Sequence, residues 1–148
     1  MRAAQTSDAG GGQPSVLNTA LLDQYRGRKN NLLERLISAY LQEAPGFFQN
    51  LRKASECNEF NDLRLNAHAL KSCSYNLGAV RLSKVCQDIE SAAVGQDVGQ
   101  IQSYMQVIGP EWFEAEQALR SELYRIKQTT IPQQATVIAT NPTEEDWD

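Results

Sequence analysis

The stretch AHALKSCSYNLGA, residues 67–79, holds the chain's only histidine, His68, and sets Lys71 three residues after it. Arg64 stands four residues before it. Residues three and four apart share a helix face, so this spacing puts two cations within a turn of one imidazole. An imidazole titrates near pH ~6.5, so at pH 7 much of it is a neutral nucleophile. Histidine is among the side chains that form covalent intermediates. Cations one turn away stabilise a dianion on the ring through charge-assisted hydrogen bonds. The chemistry this points to is carriage of a phosphoryl group. The same placement also suits an ordinary histidine at the edge of a buried stripe, and the basic flanks alone leave both readings open.

A neutral imidazole is a directed nucleophile only when its second nitrogen is held. A carboxylate on the adjoining helix would hold it, and Glu90 and Asp88 are the candidates. Glu90 is preferred, because it adjoins the inward Ile89 without belonging to the inner stripe. On the histidine's own helix its neighbours are Asn61, Arg64 and Leu65 behind, with Lys71, Ser72 and Tyr75 ahead. The buried line is Phe60, Leu63, Ala67, Leu70, Ser74 and Leu77. His68 therefore borders the stripe and faces outward.

The elements that must position these residues are helices. VLNTALLDQYR, from Val16, reads as a short first helix that Asn18 or Thr19 caps, with Leu21, Leu22 and Tyr25 on one side. Leu32, Leu33, Leu36, Ile37, Tyr40 and Leu41 then recur at three- and four-residue steps, and the pattern resumes at Phe47, Phe48 and Leu51. Pro45-Gly46 between them predicts one kinked helix. The histidine helix runs from about Glu59 to Asn76, and Gly78 suits the left-handed position beyond its end. A further helix spans about Val80 to Ala93, with Leu82, Val85, Cys86, Ile89 and Ala93 inward. The last spans about Val98 to Lys127, bent or divided at Gly109-Pro110. Residues 1–15 read as a flexible leader. Residues 129–148 read as a disordered tail that includes Trp147. Short loops between long helices give an all-α fold, an antiparallel four-helix bundle over residues 16–128 with a short extra N-terminal helix.

The composition narrows the function. The net charge is −4 and the pI about 5.0, which argues against nucleic acid as the main partner. No apolar run approaches the ~20 residues of a membrane span, and the N-terminus lacks a signal core. Cys57, Cys73 and Cys86 have no metal-ligand spacing and read as reduced core residues of a cytoplasmic protein; no metal site is expected. Gly10–Gly12 is not followed by the lysine and hydroxyl residue of a phosphate loop, so autophosphorylation from ATP is not expected.

AHALKSCSYNLGAVRLSKVCQDIE as a whole resembles the histidine-containing phosphotransfer domain of multistep phosphorelays. The residues that carry the likeness are Ala67, His68, Leu70, Lys71, Ser72, Ser74, Leu77, Gly78, Ala79, Leu82, Cys86 and Glu90. LLERLISAYLQEAPGFFQNLRKA resembles the family's second helix, proline included, and the likeness covers about residues 16–128. It implies that His68 accepts phosphate from the aspartate of one receiver domain and passes it to the aspartate of another. Lys71 is implied as phosphate stabiliser, and Glu90 falls where the family often has Glu or Gln bonded to the histidine. The implied partners are response-regulator receivers and a sensor or hybrid histidine kinase. The chain itself needs no cofactor, since Mg²⁺ belongs to the receiver.

A monomer is expected, free-standing or as the terminal domain of a membrane-bound hybrid kinase. One departure is Ser72, where the family usually has the glycine that leaves room for the receiver. Arg64, Leu65, Ala69, Ser72 and Tyr75 are the expected docking residues, and Phe47 or Phe48 either joins them or lies buried beneath the kink. The alternative is a bundle that binds receivers without transferring phosphate.

Overall fold

A computed structural model describes residues 15–140, with side chains as far as Thr129. Among these residues all regular structure is helical. A short helix α1 (Thr19–Asp23) and a 3₁₀ turn (Lys29–Asn31) precede four long helices: α2 (Leu32–Glu56), α3 (Phe60–Asn76), α4 (Val80–Val94) and α5 (Val98–Thr140). Three-residue turns join α2 to α3, α3 to α4 and α4 to α5, so successive helices reverse direction. Each long helix packs on its chain neighbours, and α5 closes the ring against α2.

The apolar stripes meet as their spacing requires. Leu33, Ile37, Tyr40, Ala44, Phe48 and Leu51 of α2 are buried, as are Leu63, Ala67, Leu70 and Ser74 of α3. Leu82, Cys86, Ile89, Ala92 and Ala93 face in from α4, and Ile101, Ile108, Trp112, Ala115 and Leu119 from α5. Trp112 stacks on Phe48 with ring centroids 5.2 Å apart and touches Tyr40 at 6.1 Å. This joins α2 to α5 with large aromatic surfaces. Inside the bundle the Tyr40 and Ser74 hydroxyls lie 2.8 Å apart, each satisfying the other and tying α2 to α3.

Pro45 and Pro110 both fall inside unbroken helices. Proline removes one backbone hydrogen bond and crowds the carbonyl four residues back. At Pro45 the stripe nevertheless continues through the buried Ala44, Phe48 and Leu51. At Pro110 it continues through Ile108 and Trp112. Burial on either side holds the helix together across the break.

Several boundaries differ from expectation. The first helix is limited to Thr19–Asp23, with the Asn18 side chain accepting from the Ala20 amide as its cap. The last helix continues to Thr140 rather than ending near Lys127, so the tail expected from residue 129 is helical as far as it is described. No glycine follows Gly109 to supply a left-handed stop. Residues 141–148, with Trp147, and residues 1–14 lie outside the described residues. Cys57 is exposed at the end of α2 rather than in the core, Cys73 is partly buried and Cys86 is buried. Phe60, placed on the inner stripe, is only partly buried.

The N-terminal segment is fastened at two places. Its Asn18 amide donates to the Gly78 carbonyl at 2.7 Å. Further on, Arg26 donates to Glu122 of α5 at 2.6 Å, and Arg125 bonds the same carboxylate. Glu122 is only 3% exposed. Its burial favours the neutral acid, but the Arg26 and Arg125 hydrogen bonds outweigh that and hold it ionised, below the usual carboxylate range.

Gly78 has φ +83°, and a Cβ built there would lie 2.6 Å from the Asn18 carbonyl oxygen. Gly78→Ala should therefore cost roughly 2 kcal/mol, from the left-handed backbone and the forced shift of the N-terminal segment. Urea denaturation should show a lower midpoint with an unchanged slope; an unchanged midpoint would refute the close approach.

Candidate functional site

His68 lies near the middle of α3, beside the buried Ala67. Its side chain is 58% exposed. Glu90, near the end of α4, reaches it because the three-residue turn at 77–79 folds α4 back along α3. Glu90 Oε2 lies 3.0 Å from His68 Nδ1. The other carboxylate oxygen, Oε1, accepts from Lys71 Nζ at 2.7 Å. One carboxylate thus bridges the imidazole and the ammonium, and among the described residues no other hydrogen bond or ion pair engages the ring.

The charge of Glu90 follows from this geometry. Its side chain is 21% exposed, and burial alone would push its pKa up. The Lys71 hydrogen bond, then that of His68, outweigh burial and hold the carboxyl below its ordinary value of 4.5. An ionised Glu90 can only accept, so the proton between it and the ring sits on Nδ1. In the neutral ring Nε2 then carries the lone pair.

The fold brings His68, Lys71 and Glu90 together. The competing carboxylate is not part of the cluster: Asp88 pairs with Lys84 on its own helix at 2.9 Å. Arg64 donates to Asn61 one turn back at 3.0 Å instead of joining the cluster, so Lys71 is the cation held beside the ring. Around it Leu65 and Tyr75 are 49% and 52% exposed. Ser72 is exposed as well, and Ala69 is partly buried. Phe48 is buried against Trp112, and Phe47 packs partly on the core.

Val94, one turn beyond Glu90 on α4, is exposed as well. The Cys73 and Cys86 thiols are no rival nucleophiles. Burial pushes Cys73 up to about 11 and Cys86 higher still, which suppresses the reactive thiolate. Among the described residues no group of three His, Cys, Asp or Glu is placed to hold a metal ion. Nor is any helix long and apolar enough to cross a membrane.

The sequence matches the family model described as the Hpt domain over residues 35–129. The chain belongs to the Hpt domain family, and its function is histidine phosphotransfer in a phosphorelay. Domains of this family work with receiver domains and histidine kinases. Two solved structures share the fold. Histidine-containing phosphotransfer protein B from Pseudomonas aeruginosa PAO1 superposes with a TM-score of 0.70 at 19% identity, over 76% of this chain and 98% of its own. The HPT domain of a sensor hybrid histidine kinase from Shewanella gives 0.65 at 23% identity, over 74% and 95%. No curated protein gives a significant match.

The bridge has a pH signature. Because the Glu90 pKa is lowered on folding, the stability it contributes is present above about the ordinary carboxylate pKa. That stability is lost as pH falls through the depressed value. A carboxylate NMR titration should place Glu90 below 4.5, and Lys71→Met should move it upward. An unmoved midpoint would show that Lys71 is not its counter-ion.

Proposed function

We propose that His68 is the phospho-acceptor and that Nε2 is the atom that takes the phosphoryl group. The observation that carries this is the Glu90 bridge, which occupies Nδ1 and leaves the opposite nitrogen of an exposed ring free. His68 is also the one histidine in the chain, so histidine phosphotransfer has a single place to occur.

In the forward step the Nε2 lone pair attacks the phosphorus of a receiver's aspartyl phosphate. The N–P bond forms as the P–O bond breaks, and the electron pair leaves with the aspartate carboxylate. The Nδ1 proton stays in place, so Glu90 stabilises the positive charge that develops on the ring. The second transfer runs the same exchange in reverse, with the carboxylate of another receiver as nucleophile. Lys71, held one hydrogen bond from the ring by Glu90, is near enough to turn its ammonium to the arriving phosphoryl oxygens. The receiver would supply any divalent cation and the rest of the alignment.

Leu65, Ser72 and Tyr75, with Ala69 beneath and Arg64 at the rim, form the surface a receiver would cover. The contact is transient, since a carrier must release each partner. Ser72 adds a small hydroxyl to that surface, a modest demand on a docking receiver.

Incubating the chain with a phosphorylated receiver should give label on the chain that is acid-labile and base-stable. His68→Gln should abolish it. Lys71→Ala should slow it by about tenfold, the loss of one charge-assisted contact. Label surviving in His68→Gln would move the acceptor elsewhere. Receiver binding without label in the wild type would make this bundle an adaptor.

A further inference from the structure

The Glu90 bridge requires α3 and α4 to keep their register, and one hydrogen bond beside the site fixes it. Ser83 of α4 is 7% exposed. Its hydroxyl donates to the backbone carbonyl of Lys71 on α3 at 3.1 Å. Ser83 precedes Glu90 by seven residues, two turns along the same face and about 10.5 Å of helix. Helix α4 therefore grips Lys71 twice, through Ser83 at its main chain and through Glu90 at its ammonium.

The two grips differ in kind. A side chain can swing to follow its partner, whereas a helix carbonyl moves only with the helix. The Ser83 bond thus sets where the Lys71 backbone stands relative to α4, and Glu90 reaches Nζ and Nδ1 from that fixed point. A slip of one residue would carry Glu90 about 1.5 Å along α4 and 100° around it. Contacts of 2.7 and 3.0 Å do not survive that.

A hydroxyl buried between two helices is tolerated only when bonded, and this one takes its partner from the residue that serves the site. We propose that Ser83 is a positioning residue for phosphotransfer, holding α4 in the register that lets Glu90 bridge His68 and Lys71. It touches neither the ring nor the incoming phosphoryl group. The inference rests on His68 as acceptor and extends that site to a second point on α4.

The test measures single-turnover transfer from a phosphorylated receiver, at saturating receiver, in the wild type, Ser83→Ala, Glu90→Ala and the double variant. Ser83→Ala should lower the rate about fivefold with receiver affinity unchanged. In the Glu90→Ala background it should have little further effect, because the bridge it positions is already gone. Independently of transfer, Ser83→Ala should raise the Glu90 titration midpoint, as the Lys71 and His68 contacts loosen. Should Ser83→Ala unfold, Ser83→Cys keeps the shape but donates weakly, and should shift rate and midpoint in the same directions.

A wild-type rate and an unmoved Glu90 midpoint in Ser83→Ala would overturn this proposal alone. An equal loss with and without Glu90 would also overturn it, since the effect would then be general packing. A wild-type chain that takes no label would overturn the His68 assignment and this inference with it.

Discussion

A single carboxylate shared between two donors organises the site. Glu90 accepts from His68 and from Lys71, 3.0 and 2.7 Å away, and in doing so fixes three things together. The imidazole tautomer is set, the ring plane is anchored, and the ammonium is parked beside it without touching the free nitrogen. The cost is a partly buried negative charge. It is tolerable because both oxygens are matched by donors, and the downward pull on its pKa reflects that match.

The rest of the bundle keeps these three side chains in place on a surface. Short turns force α3 and α4 into antiparallel contact. Tyr40 with Ser74 ties α3 to α2, while Ser83 ties it to α4. Arg81 reaches from α4 to Glu111 of α5 at 2.9 Å. The helix that bears the histidine is therefore fixed on both sides, and the site is built on rigid elements rather than loops. The arrangement is held by hydroxyls and ion pairs at helix seams, over a core that is mostly aliphatic around the Tyr40, Phe48 and Trp112 rings.

Much of this was legible in the chain, and for definite reasons. The three- and four-residue steps of Leu63, Ala67, Leu70 and Ser74 fixed which side of α3 is buried, and so where His68 had to point. The brevity of Leu77-Gly78-Ala79 brought α4 back past it, which made a carboxylate near position 90 reachable. Other features left no local trace. Nothing near Glu122 in sequence announces that it will be buried under Arg26, 96 residues away. Ser83 looked like an ordinary small helix residue, because its partner is a main-chain carbonyl and any residue could have supplied one. Cys57 was placed inside by residue type, yet it follows the last buried position of α2 and falls in the turn, where no packing partner covers it.

The exposure of His68 on a convex helix has a further consequence. The ring lies in the open, and only one of its nitrogens is unclaimed. Two visiting aspartates would have to approach that same atom from the same side, so donor and recipient exclude one another. With Nε2 as the acceptor, traffic through such a carrier would be sequential, each visitor leaving before the next could reach the atom.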